Sequence, residues 1–145
     1  MRNNLPNNYN LRGYILNVYL SAGVYFLIIS VIIIIAIFLF DLITKYKVWD
    51  EIAKGNVSVA LATGGIVVGV ANILKCAILT NEDLINTIIW GGIGSIVLLI
   101  VYLAFEILTP KLNVTDEIGK GNIAVGILSF VFSLAFSLII GASIS

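Results

Sequence analysis

The sequence has no histidine, a single cysteine and few charges. Without histidine, no side chain with an ordinary pKa near neutrality is available as a base or a metal ligand. Cys76 alone cannot close an intramolecular disulfide or build a thiolate cluster, and it reads as a small hydrophobe near a helix end. Charged residues make up 11 % of the chain, against about a quarter in an ordinary soluble domain. That is too little charge to cover a water-facing surface. The 8 basic and 8 acidic residues cancel, so no net field draws the chain toward nucleic acid. No Ser-His or Cys-His pair, P-loop or metal-ligand cluster is present. The expectation is therefore no enzyme, no cofactor and no bound metal.

What the chain has instead is apolar length. Residues of the set AVILMFWYC account for 60 %, and the mean hydropathy is +1.10. Four stretches carry no charge: Gly13–Phe40 with 28 residues, Gly55–Leu74 with 20, Leu84–Phe105 with 22 and Gly121–Ser145 with 25. A helix rises 1.5 Å per residue, so roughly 20 residues cross a hydrocarbon core about 30 Å thick. Buried strands would need turns every few residues, yet Ser21–Phe40 contains no proline or asparagine and only Gly23 as a breaker. Barrel strands would alternate in polarity, and these runs do not. The first run is too long for a signal-peptide core, and Asp41 and Lys45 follow it where a small-residue cleavage site would stand. The expectation is an all-α polytopic membrane protein with four transmembrane helices, preceded by a polar tail over residues 1–13.

Two stretches match each other. Phe40 and Thr44 align with Phe105 and Thr109 at an offset of 65. One extra residue in the second loop shifts the offset to 66, which pairs Glu51, Ile52, Lys54, Gly55, Asn56 and Val59 with Glu117, Ile118, Lys120, Gly121, Asn122 and Val125. Identities at fixed spacing between hydrophobic blocks imply duplication, with one two-helix unit over 14–80 and a second over 81–145. Each unit crosses twice, so the two enter the bilayer in the same sense, as tandem parallel repeats. Both charged loops then share one face. They hold Lys45, Lys47, Lys54, Lys111 and Lys120, against Arg2, Arg12 and Lys75 opposite. Positive-inside counting places the loops in the cytoplasm and both termini outside the cell membrane. Lys75 is expected to snorkel from its helix end.

Within the loops, Pro110 is expected to end the third span near Thr109. Trp49 with Ile52, and Val114 with Ile118, would lay short helices on the interface. Acidic Asp50, Glu51, Asp116 and Glu117 suit the first turn of such helices, and Asn113 with Asp116 suggests a capping pair. Asn56 and Asn122 allow two readings. They cap the following membrane helices after the breaks at Gly55 and Gly121, or they converge on a polar solute or ion. Asn72, matched by Leu138, is expected to bond to a neighbouring helix. Asp41 and Glu106 recur at the ends of the first and third spans, as plain interface residues, as partners of a loop lysine, or as a cation gate. Gly65 and Gly69, with Ala60 and Gly64, form small-residue pairs that let helices approach closely. Gly91, Gly92 and Gly94 narrow the third span near its start.

The segment TPKLNVTDEIGKGNIAVG, Thr109–Gly126, resembles the DUF350 (UPF0719, YjfL-like) family of small bacterial and archaeal inner-membrane proteins. The likeness runs from about Tyr14 to Ile144. It implies four spans, a two-fold internal repeat and an E-I-x-K-G-N signature, here carried by Glu51, Gly55, Asn56, Glu117, Gly121 and Asn122. Ala124 follows the family pattern after the second signature and Ser58 departs from it after the first. The family carries no agreed activity, so the resemblance brings no catalytic residues. Two roles fit the residues. One is an oligomeric scaffold or accessory subunit, embedded in the bilayer with a second copy or another membrane protein as partner. The other is an ion or small-solute channel or permease lined by Asn56, Asn122 and Asn72, with Asp41 and Glu106 at its mouth.

Overall fold

A computed structural model describes residues 8–110 and 112–144. The tail over 1–7 with Arg2, the loop residue Lys111 and the terminal Ser145 lie outside the described residues. The elements in chain order are α1 (Asn8–Ile43), α2 (Val48–Ala53), α3 (Val57–Thr80), α4 (Leu84–Leu108), α5 (Val114–Gly119) and α6 (Ile123–Ser143). Four stretches are long and apolar enough to cross a membrane: Leu16–Ile43 within α1, and the whole of α3, α4 and α6. Helices are the expected answer to this composition, because each satisfies its own backbone donors and acceptors in a solvent that offers none. The start of α1 corrects one expectation. The helix begins at Asn8 and takes in residues assigned to the polar tail, reaching 36 residues or about 54 Å. Adding turns to a helix already nucleated costs little, and this length exceeds a hydrocarbon core about 30 Å thick.

Helix ends follow local chemistry. The Asp83 carboxylate accepts from the Asn86 amide at 2.7 Å and starts α4. At the other end of α4, Thr109 is the C-cap ahead of Pro110, as the missing proline donor dictates. The short α2 and α5 have six residues each and stand at the same end of the bundle, where Lys45, just before α2, reaches Asp116 in α5. Val114 and Ile118 of α5, expected on the interface, are buried in the bundle. In α2, Val48 is fully buried and Trp49 is 63 % exposed. Trp49 lies outward beside Ile34, Ile37 and Phe38 of α1, where an indole suits the membrane interface.

The centre of the bundle is α3, with Val59, Ala62, Ile66, Val70 and Ile73 fully buried. Its main partner is α6, which runs parallel to it. At one end the Ser58 hydroxyl donates to the Asn122 carbonyl at 2.7 Å, and at the other Thr80 donates to the Ile144 carbonyl at 3.3 Å. Close approach along this seam requires missing side chains. A methyl group on Gly65 would stand 2.8 Å from the Phe130 Cα, and one on Gly126 would stand 2.8 Å from the Ser58 Cα. Gly69 faces Ser133, Ser137 and Leu98. Ala60 points outward and is exposed, and a methyl on Gly64 would only reach ordinary contact at 4.0 Å. The close surface is thus the Gly65–Gly69 side and not the Ala60–Gly64 pair. On α4, Gly91 and Gly94 meet Leu74 and Ile73 of α3, whereas Gly92 has nothing within 4 Å.

The outer helices pack differently. α4 rests on α3 and α6, while α1 rests on α3 and α4. Most of α1 stays exposed, including Phe26, Leu27, Ile34 and Phe38, a surface that only lipid or another apolar partner can cover. Phe40 of α1 is fully buried and meets Tyr102 of α4 edge to face at 5.0 Å. Phe105, Phe132 and Phe136 stack between α4 and α6.

Candidate functional site

The matching loop sequences fold into matching corners. In the first, the Gly55 amide donates to the Ile52 carbonyl at 2.9 Å and the Asn56 amide to the Glu51 carbonyl at 3.0 Å. In the second, Gly121 donates to Ile118 and Asn122 to Glu117, both at 3.0 Å. This is the Schellman pattern, and it needs a left-handed residue after the helix. Gly55 and Gly121 supply it, each with φ +86°, where a Cβ would be strained. The residue that closes one helix then opens the next. Asn56 Oδ1 accepts from the Val59 amide at 3.2 Å and Asn122 Oδ1 from the Val125 amide at 3.4 Å.

The glutamates complete the corners. Asn56 Nδ2 donates to Glu51 Oε2 at 3.3 Å, and Asn122 Nδ2 to Glu117 Oε2 at 3.0 Å. Lys54 and Lys120 pair with the other oxygens of the same carboxylates at 2.7 and 3.0 Å. The Lys54 ammonium and then the Asn56 amide hold the Glu51 carboxyl below its ordinary pKa. For Glu117 the order is Asn122, then Lys120. The two corners differ in one respect. Asn56 Nδ2 also donates to the Gly119 carbonyl at 2.9 Å, satisfying an open end of α5, so the first corner holds the second.

Asp41 and Glu106 do not share a role. Asp41 Oδ1 accepts from the Val48 amide at 2.7 Å and caps α2 from seven residues away. Glu106 lies 3.7 Å from the Lys45 ammonium, which is also 3.4 Å from Asp116, a lysine partner of the kind the repeat suggested. The expected Asn113–Asp116 capping pair does not form. Asn113 takes a left-handed conformation, φ 41°, with no capping hydrogen bond, because the turn after Pro110 needs that conformation and Asn tolerates it. Deeper in the bundle, Asn72 Nδ2 donates to the Ser137 carbonyl of α6 at 3.1 Å. Lys75 is exposed in the last turns of α3.

Sequence reasoning missed a second polar group. The hydroxyls of Tyr46, Tyr102, Thr115, Ser129 and Ser133 are buried and have no hydrogen-bond partner. Tyr46 and Tyr102 adjoin and interact with each other, and Tyr102 adjoins Ser129. Burial, then Tyr102 and the Glu106 and Asp41 carboxylates, push the Tyr46 phenol far above its ordinary pKa. A cavity of about 270 Å³ lined by Lys45, Tyr46, Thr115, Asp116, Gly119 and Lys120 opens above the cluster. The available signal was the four-residue spacing of Ser129, Ser133 and Ser137, which puts three serines on one stripe of α6. Among the described residues, no three His, Cys, Asp or Glu side chains converge as a metal site.

Four apolar spans joined by short polar corners define a multi-pass membrane protein. The chain belongs to the family described as Domain of Unknown Function (DUF350), which it matches over residues 14–144. It is 39 % identical over 128 residues to the UPF0719 transmembrane protein YshE of Bacillus subtilis (strain 168), covering 88 % of this chain and 96 % of that protein. No solved structure matches it.

Proposed function

We propose that the protein is a non-enzymatic membrane scaffold, an accessory subunit that offers two like corners to a partner at one membrane face. In this reading the chain is two tandem parallel units, 14–80 and 81–145, joined along α3 and α6. The loops face the cytoplasm and the termini lie outside, following the lysine excess of the loops. The observation that carries the proposal is the direction of Asn56 and Asn122. Both amides turn onto helix ends and their own glutamates, which leaves neither side chain free for a passing solute. Asp41 is likewise spent on the α2 cap. The exposed Trp49, Lys54 and Lys120 remain as a patterned surface for recognition, and the apolar face of α1 suits a second copy or another membrane helix. The channel reading loses its expected lining and retains only the buried hydroxyls in its favour.

Crosslinking in native membranes, followed by mild solubilisation and mass spectrometry, tests the proposal. The expected result is a stoichiometric partner or a defined oligomer that depends on the corner residues. Monomeric recovery with no partner, together with solute flux in liposomes above that of empty vesicles, would overturn it.

A further inference from the structure

The five orphaned hydroxyls form one connected group. Tyr46 and Thr115 line the cavity, Tyr46 adjoins Tyr102, Tyr102 adjoins Ser129, and Ser133 lies one turn further along α6. Tyr102, Thr115, Ser129 and Ser133 are each 2 % exposed or less. Other buried hydroxyls of the bundle behave differently. Thr63 donates to Val59, Ser95 to Gly91 and Ser137 to Leu134, all on their own helices. That backbone bond is the low-cost solution for a serine in a membrane helix. Ser129 and Ser133 forgo it, and with the unpartnered hydroxyls of Tyr46, Tyr102 and Thr115 nearby they point to an occupant.

The surrounding chemistry selects the kind of occupant. Every donor atom is a neutral oxygen, and the carboxylates of Glu106 and Asp41 act on Tyr46 from the rim. An anion would meet those carboxylates. A divalent ion would need several carboxylates as direct ligands, and no such group converges among the described residues. Neutral oxygens with negative charge one step away suit a hard cation of single charge. The rim already holds one such charge, the Lys45 ammonium between Glu106 and Asp116.

We propose that Tyr46, Tyr102, Thr115, Ser129 and Ser133 form a binding site for an alkali cation, entered from the corner face through the cavity beneath Lys45. The site is independent of the scaffold reading, since ion binding and partner recovery are separate readouts.

The test uses the full chain purified in detergent, with choline chloride holding ionic strength constant. Binding of radioactive sodium and of rubidium, read by scintillation proximity, is expected to be saturable for at least one of them. It should weaken at least about tenfold in Ser129→Ala/Ser133→Ala, the loss of about one good ligand. Lys45→Ala, which removes the competing charge, should tighten it. In choline alone the double alanine variant should melt no lower than the wild type, since it deletes unpaired buried groups. The bound ion should raise the melting temperature of the wild type only. Tyr46→Phe provides a second ligand deletion if the double variant does not elute as a folded species. Absence of saturable binding of either ion to the wild type, with a melting temperature indifferent to the cation, would overturn the proposal.

Discussion

Gly64 and Gly65 are neighbours on α3, and replacing each with alanine should have opposite consequences. The added methyl of Gly65→Ala would lie 2.8 Å from the Phe130 Cα and 3.2 Å from its carbonyl oxygen. Carbon atoms sit comfortably at about 3.5–4.0 Å. Both obstructing atoms belong to the backbone of α6, so no rotamer change relieves them and the helices must separate by roughly 1 Å. Overpacking of this kind costs about 1–3 kcal/mol. Gly64→Ala places its methyl 4.0 Å from the Phe130 ring, an ordinary contact. It also removes a helix-interior glycine, a gain of about 0.5–1 kcal/mol. Gly65→Ala gains the same backbone term, so the pair should differ by the overpacking cost alone, about 1–3 kcal/mol. Unfolding by sodium dodecyl sulfate in mixed micelles, followed by circular dichroism, reads the difference as separated midpoints on either side of the wild type. Equal midpoints, or a greater loss at Gly64, would refute the assignment of the α3–α6 seam to the Gly65 side.

The same assay ranks the corner residues. Gly55→Ala and Gly121→Ala should each cost about 1–2 kcal/mol through left-handed strain alone, because no atom lies closer than 3.8 Å to either added methyl. Asn122→Ala should cost about 1 kcal/mol as a lost cap. Asn56→Ala should cost about twice that, since Asn56 also bonds to the Gly119 carbonyl. Glu51 and Glu117 are held below their ordinary pKa of 4.5, so their contribution is present above that value and is lost as pH falls through the lower folded values. Lys54 and Lys120 are raised, so theirs is present below the ordinary lysine value and lost as pH rises through the raised one. The melting temperature should therefore be flat through neutrality and decline at both extremes, by a small amount because the two lysines are exposed and the two glutamates only half-buried. A Glu51→Gln/Glu117→Gln variant should lack the acid-side part of the decline.

The spans were legible because a charge inside hydrocarbon is costly enough to leave a mark on composition. Charge-free runs of 20 or more residues announce themselves in the sequence. The corners were legible for a local reason. Lys-Gly-Asn places a residue free to take φ +86° directly before a good cap, and both requirements fall on adjacent positions. What escaped was set by shape and distance. The bond from Asn56 to Gly119 joins residues 63 apart and has no counterpart in a local pattern. Asn113 was read as a cap because the type of turn after Pro110 is not written in the residues alone. The hydroxyl cluster draws on α4, α5, α6 and the loop before α2, and serine is too common in membrane helices for a stripe of three to stand out.

The placement of both corners at one end of the bundle underlies everything else, and site-directed labelling tests it most directly. In a Cys76→Ser background, Asp50→Cys and Lys120→Cys are treated with a membrane-impermeant maleimide in intact cells and in inverted vesicles. Both positions should react in inverted vesicles only. Reaction of the two from opposite sides of the membrane would contradict the parallel arrangement of α3 and α6 and the shared face built on it.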